Sequence, residues 1–502
     1  MPCTTLLVGK KASYDGSTII ARNEDSPSGV FTPKRMEVVL PQDQPRHYRS
    51  VVSHVQIELP DDPQRYSSVP DAVNRDGIWA EAGVNESDVA MSATETLTTN
   101  PRVLGADPYV ELVPAKGTPG EEGYVPEVPG GIGEEDMVTI VLPYVRTARE
   151  GVLRLGSLLE EFGTYEPNGV AFSDLDEVWW LETVGGHHWI ARRVPDDCYV
   201  TMPNQLGIDS FDLSDAFGAQ REHLCSADLR EFMAKNHLDL SLEPGDAFNP
   251  REAFGSHSDA DHVYNTPRAW SMQRLLNPHT GNWDDGSGDL SPESDSLPWS
   301  RVPERRLTVE DVKDALSLHY QGTPFDPYGR GDDAQRGRYR PVGINRNGEL
   351  AALQLRPYAP EGCRAVQWTA FGCNAFNALV PLYANVRSMP EYLSNTTDEV
   401  TTQSFYWSNR LVAALADAHF NATAAAVESY QEAVAARGHE ELARTDASLL
   451  AQGSSREDAC DELEEANGRI ARMLRDKTGE LLSKVLLQAS LDMRNGFARS
   501  DR

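Results

Sequence analysis

Cys3 opens the run CTTLLVG, and Arg22, Asn23, Glu24 and Asp25 close the next one, STIIARNED. A thiol, a guanidinium and carboxylates are the parts of a cysteine nucleophile with its electrostatic support. A nearby cation favours the thiolate, which is the reactive form, and a carboxylate can hold an ammonium group or orient a proton acceptor. The set lacks a base, since this stretch carries no histidine. A free α-amino group would serve if the chain were cut ahead of Cys3, because its pKa of roughly 7.7–8.0 lies near working pH. It would also sit on the same residue as the thiol it deprotonates. The same residues equally fit a small buried thiol at the start of an edge strand.

Such a group works only if the chain brings its parts together. Both runs are β-branched and apolar, and KKASYDGS between them carries an Asp15-Gly16 turn signal, so the pattern predicts a hairpin, with RMEVVLP as a third strand. With the turn inside residues 10–16, the far end of the second strand returns to the start of the first. Cys3 and the RNED cluster then become neighbours. Further along, GIWAEAGVNESDVAMSATET reads as short strands, and the Pro-, Gly- and Glu-rich stretch at about 107–133 as a surface loop. Apolar residues at three- and four-residue steps predict helices between Met137 and Phe162. VWWLETVGGHHWIARRVPDDCYVTM predicts a strand pair broken at Gly185-Gly186. Short helices and polar loops fill Asp209 to Leu307, and GINRNGELAALQLRP and AVQWTAFGCNAFNALVPLY add strands. After Thr402 the pattern is helical, with a stripe of Leu463, Ala466, Ile470, Leu474, Leu481 and Val485 that suits either a core or a contact between subunits of a homo-oligomer. Strands, helices, strands and helices in this order make a layered α+β fold.

Composition narrows the function classes. The 502 residues carry a formal net charge of -31, which disfavours nucleic acid and anionic membrane surfaces as partners. No run of about 18 apolar residues and no signal-peptide pattern is present, so a soluble, cytoplasmic protein is expected. Six scattered cysteines without a CxxC pair read as reduced thiols. His257, Asp259, Asp261 and His262 in SHSDADH are ligand types for a metal, but no HExxH-like spacing frames them, and a solvated loop is the expectation. His187 and His188, as neighbours on a strand, should point to opposite faces. NWDDGSGDLSPES is only loosely like a calcium loop and reads as polar loop.

The opening CTTLLVGKKASYDGSTIIARNED resembles the start of the cysteine dipeptidase family of the N-terminal nucleophile hydrolases, and RNxD after the cysteine is shared with the related penicillin V acylases and bile salt hydrolases. DGIWAEAGVNE, GIGEEDMVTIVLPY, WWLETVGGHHWIARRVPDD, NTPRAW, GTPFDPYG and SFYWSNRLVAAL are also similar to dipeptidase segments, so the resemblance spans most of the chain. It implies a four-layer αββα sandwich over residues 1–400, with 401–502 as a helical extension packed on it. It also implies a cysteine-type dipeptidase without metal or organic cofactor, acting on dipeptides. By position, Cys3 would be the nucleophile, Arg22 its support and Asp25 the holder of the α-amine. Asn204 in YVTMPNQ would be the side-chain member of the oxyanion hole, with a backbone N–H near Thr94 or Glu95, and Arg268 in NTPRAW a site arginine. Glu24, Glu134, Glu135 and Arg268 are the groups that could grip the charged ends of a dipeptide. Met1 and Pro2 precede the cysteine and must be removed; ordinary loss of Met1 leaves Pro2 in place, and attack of Cys3 on the Pro2 carbonyl would supply the second cut. An acylase on penicillin V-like or bile-salt-like amides, or a catalytically silent scaffold, are the alternative readings.

Overall fold

The computed structural model describes residues 3–73, 76–242, 247–283 and 290–495; Met1, Pro2 and residues 284–289 of the NWDDGSGDLSPES stretch lie outside them. Its strands, numbered here for the two large sheets, are β1 (Cys3–Val8), β2 (Thr18–Asp25), β3 (Ala82–Val84), β4 (Ala90–Thr96), β5 (Asn168–Ser173), β6 (Val178–Val184), β7 (His188–Arg193), β8 (Tyr199–Met202), β9 (His223–Cys225), β10 (Ser300–Arg301), β11 (Asn347–Leu355), β12 (Ala365–Phe371) and β13 (Val380–Tyr383). The helices that matter below are α1 (Glu134–Val141), α2 (Ala148–Phe162), α3 (Thr266–Leu276), α4 (Val309–Ala315), α5 (Phe405–Asp417), α6 (Phe420–Gln452) and α7 (Arg456–Leu491).

Among the described residues one sheet has seven strands in the order β10-β8-β1-β2-β11-β12-β13, and a second has six in the order β9-β7-β6-β5-β4-β3. The period-two alternation of each strand divides its side chains between two cores. On β1 and β2, Leu7 and Ile20 pack with Val84, Ala171, Trp180 and Ile190 of the six-stranded sheet. Leu6, Val8 and Ala21 point the other way and pack with Val312 of α4 and Leu463 of α7. The six-stranded sheet does the same: Trp179 and Leu181 leave the shared core and pack with Val138 of α1 and Leu155 of α2. The fold is thus α+β, with apolar contact on both faces of each sheet, which is why its strands read as nearly unbroken apolar runs.

The expected hairpin is present: Cys3 pairs with Glu24 and Val8 with Ile19. RMEVVLP behaves differently, since Glu37–Val39 pairs only with Tyr66–Ser68 in a separate two-strand ladder. Pro143 separates the helical stretch into α1 and α2. The 107–133 loop runs out as a narrow ribbon with isolated bridges from Val113 to Val128 and from Lys116 to Val125. All six residues of the C-terminal stripe are buried in the core beneath the seven-stranded sheet, so this chain alone accounts for that stripe. At the sheet edge, Asn467 of α7 accepts from the Tyr383 N–H at 2.9 Å and donates to the Tyr383 carbonyl at 3.0 Å. A helix thereby takes up hydrogen-bonding groups that an edge strand leaves open.

His187 and His188 depart from expectation. Both ring Nδ1 atoms meet Asp107, at 2.9 and 2.7 Å. His187 still belongs to the turn after Gly185, whose φ of 75° lies in the left-handed region, so strand alternation has not begun there. A Cβ on Gly186 would lie 2.2 Å from the Pro108 carbonyl oxygen, so the hairpin tip and the Asp107 loop can meet only with glycine there. Burial works against the Asp107 carboxylate, but hydrogen bonds from His188 and His187 outweigh it and hold its pKa near 2. A carboxyl depressed in the folded state stabilises above its unfolded value of about 3.9 and loses that contribution as pH falls through the folded value. The stability advantage of the wild type over Asp107→Asn should therefore be full above pH ~4 and vanish towards pH ~2. Urea midpoints measured across that range check it; a constant difference would refute it.

Candidate active site

Cys3 and Arg22 lie on the face of the seven-stranded sheet that looks at the second sheet. Cys3 is opposite Glu24, and Thr5 opposite Arg22, so all four side chains share one face. The Cys3 Sγ accepts from Arg22 NH2 at 3.0 Å. The same nitrogen donates to Glu134 Oε1 at 2.6 Å, while Arg22 NH1 donates to Glu81 Oε2 at 2.8 Å and to the Ala93 carbonyl at 3.0 Å. Glu134 is the first residue of α1, where the helix N-terminus favours a carboxylate. Arg22 therefore ties β2 to the loop before β3, to β4 and to α1 by charge-assisted bonds.

Burial pushes the Cys3 thiol well above its ordinary value; Arg22 pulls it down, but Glu134 and Glu95 add to the rise. The group at rest is thus a thiol that needs a base. Arg22 itself stays charged: burial lowers its pKa, and Cys3, Glu81 and Glu134 raise it further than burial lowers it. Glu95 on β4 accepts from the Thr5 hydroxyl at 2.9 Å, and burial lifts its carboxyl to about 8.

The remaining sequence candidates fall in four places. The β1–β8 register ends at the pair Thr5 and Met202, and Asn204 lies two residues past the end of β8. Asn204 donates to the Thr96 carbonyl at 2.9 Å and accepts from Arg268 NH2 at 2.7 Å. Arg268, on α3 and fully buried, also bonds the Cys3 carbonyl and the Thr4 hydroxyl. Its pKa is lowered to about 10, chiefly by burial and then by Arg340. The Thr94 N–H points to Glu134 Oε1 at 3.4 Å, at an irregularity in the β4–β5 pairing between Ala93 and Glu95. Asp25 is on the opposite face of β2 from Arg22, and its carboxylate is taken by Arg340 and Asn347. Glu135, next to Glu134 on α1, turns away to the Ser50 hydroxyl and the Val52 N–H. In SHSDADH, Asp261 Oδ2 accepts from the Ser256 and Ser258 hydroxyls at 2.5 and 2.8 Å, and His262 Nε2 lies 3.0 Å from Asp295 of a later segment, so both side chains are engaged by protein groups.

Sequence reading missed Glu81, Lys34, Asp71 and Glu349. Lys34 Nζ lies 2.6 Å from Asp71 Oδ1, 2.8 Å from Glu81 Oε1 and 3.8 Å from Glu24 Oε1. Glu349 on β11 is directly opposite Glu24, and burial lifts its carboxyl to about 8. One signal was available for Glu349: an ionisable residue inside a run, GELAALQL, that otherwise reads as a buried strand. Lys34 and Asp71 lie in irregular chain and carry no such signal.

Arg22→Met would leave Glu81 and Glu134 facing each other without their shared cation. Breaking a buried ion pair on one side typically costs about 3–5 kcal/mol. Urea unfolding should show a loss of that order, and Arg22→Lys, which keeps the charge but not the fork, should lose less; equal losses would refute the role given to the charge.

Comparison with known proteins points the same way as the site. The model of Peptidase family C69 matches residues 2–433. The chain is 58% identical to a dipeptidase of Bifidobacterium longum with both chains covered fully, and 53% identical to a probable dipeptidase A of Streptococcus pyogenes serotype M3, again over the full length of both. It is 41% identical to dipeptidase A of Lactobacillus helveticus over 96% of each chain. Among solved structures, a conjugated bile acid hydrolase from Clostridium perfringens aligns with 76% of this chain and 92% of its own at 8% identity and a TM-score of 0.33, too distant a likeness to bear on the argument. With a buried cysteine held by arginine at the head of the matched region, the chain belongs to peptidase family C69.

Proposed function

We propose that this chain is a cysteine-type dipeptidase whose nucleophile is Cys3, freed by removal of Met1 and Pro2. The observation that carries the reading is the Cys3 thiol 3.0 Å from a fully buried guanidinium, with Asn204 tied to the Cys3 carbonyl through Arg268, in a chain with full-length dipeptidase relatives. The exposed α-amine takes the thiol proton, and Arg22 favours the thiolate that results. The sulfur attacks the peptide carbonyl; the Asn204 amide and a backbone N–H at Thr94 or Glu95 hold the oxyanion. The ammonium then protonates the leaving amine, and water hydrolyses the thioester to regenerate the thiol. Asp25, its carboxylate taken by Arg340 and Asn347 on the other face of β2, holds the end of that strand, and Arg268 steadies both Cys3 and Asn204. Glu24 and Glu134 are the carboxylates suited to the substrate ammonium. Glu135, engaged with Ser50 and Val52, drops behind them.

The same proposal includes an N-terminal nucleophile hydrolase core over residues 1–400 in four αββα layers, with 401–502 packed on it as helices. The three apolar cores, one between the sheets and one on each outer face, support that arrangement. All six cysteines are free thiols, in keeping with a reducing cytoplasmic setting.

Intact mass of the wild type and of Cys3→Ala, each tagged at the C-terminus, tests the leader step. The wild type should lack Met1 and Pro2, while the variant should keep Pro2. A wild type that keeps Pro2 and still cleaves dipeptides would remove the α-amine as base. Asn204→Ala should lower kcat by about 10²–10³, and a panel of dipeptides against N-acyl amides should show turnover of the former; preference for acyl amides would favour an acylase.

A further inference from the structure

Behind Arg22 stands a second buried cation that the mechanism above does not use. Lys34 has 0% exposure, and its contacts continue those of the thiol in one line. Lys34 Nζ meets Glu81 Oε1 at 2.8 Å, Glu81 Oε2 meets Arg22 NH1 at 2.8 Å, and Arg22 NH2 meets Cys3 Sγ at 3.0 Å. Glu81 thus offers one oxygen to each cation. Around the line the acids outnumber the bases. Glu24, Asp71, Glu81, Glu134 and Glu349 face Arg22 and Lys34, and all but Asp71 have side-chain exposures of no more than a few per cent. Neither oxygen of Glu24 nor Oε2 of Glu349 has a hydrogen-bond donor among the described residues, whereas Glu81 is bonded by both cations. Without Lys34, Arg22 would be the sole base facing these acids, and the pull on its guanidinium would be away from the sulfur.

We propose that Lys34 is a positioning residue for the nucleophile: by occupying Glu81 and Asp71 from the far side, it leaves the second nitrogen of Arg22 shared between Cys3 and Glu134. This rests on Cys3 being the nucleophile. The groups bearing on the thiol are Arg22 and Glu24 from β2, Glu95 from β4, Glu134 from α1 and, through the Cys3 carbonyl, Arg268 from α3. Those bearing on Lys34 are Asp71, Glu81, Glu24 and Glu349. Burial depresses the lysine, but Asp71, Glu24 and Glu81 outweigh it, so Lys34 remains a cation across the working range.

The test uses the full-length processed enzyme and reads carboxamidomethylation of Cys3 by iodoacetamide against pH, by peptide mass, beside kcat and KM on a dipeptide. Lys34→Met should move the alkylation profile up by about one pH unit or more and lower kcat by about 10²-fold with KM little changed, and Lys34→Arg should recover most of both. The double variant Lys34→Met with Asp71→Asn removes a cation and an acid together, which keeps the buried charge balanced if the single variant does not fold; it should still show the shifted profile. Wild-type alkylation profiles in the folded variants, with only thermal stability lost, would overturn the proposal. A wild type that turns over no dipeptide while Lys34→Met still moves the profile would sink the dipeptidase reading and leave the role of Lys34 standing.

Discussion

A guanidinium sealed from water needs carboxylates and carbonyls to replace its hydration, and Arg22 finds them on three different elements. Glu81 precedes β3, Ala93 is on β4 and Glu134 begins α1, while Arg22 itself is on the other sheet. The two sheets must therefore come together in one register for this charge to be satisfied. Apolar burial supplies most of the attraction between sheets, but it is non-directional. The buried ion pairs carry the directional part, because a misplaced partner would leave an uncompensated charge. Cys3 then lies where the guanidinium nitrogen that holds Glu134 also points.

This arrangement explains why so many acids gather around one thiol. Arg22 and Lys34 are each held by more than one carboxylate, and the surplus acids, Glu95 and Glu349 among them, are lifted to about 8 by burial and so keep protons near neutral pH. Burial raises these acids while Glu134, beside Arg22, is lowered. Proton positions within the site respond to whatever enters, since adding or removing one cation changes which carboxyls ionise.

On the other side of the strand, Asp25, Arg340, Asn347, Asn23 and Asn374 form a second polar group that fixes the end of β2. Asn374 donates to Asn23 at 2.6 Å, and Asn23 donates to the Leu316 carbonyl at 2.9 Å. The RNED run is thus split by strand alternation: Arg22 and Glu24 serve the thiol face, whereas Asn23 and Asp25 anchor the strand to β11 and the loop after α4. Arg268 works between these faces through the Cys3 carbonyl, and it shares the Tyr264 ring with Arg340, at 5.2 and 4.8 Å.

The hairpin that joins Cys3 to Arg22 was legible from residues alone, because turn chemistry and apolar alternation act over a few residues and leave one register open. The helical C-terminus and the strand pair around Gly185 were legible for the same reason. Resemblance, not spacing, pointed to Asn204 and Arg268, which lie far along the chain from Cys3. What local pattern could not reach was any partner brought in by packing of the second sheet: Glu81, Lys34, Asp71 and Glu349 have no fixed spacing from the cysteine. Nor could it see that His187 would follow the turn instead of the strand, or that Glu135 would face away from its neighbour Glu134. The sequence by itself determined the cross-strand neighbours of Cys3 and the α+β class, since these depend on period, turns and residue chemistry. Tertiary structure alone decided which acids hold Arg22 and which stay protonated, because burial and charge pairing depend on distances that only the packed sheets set.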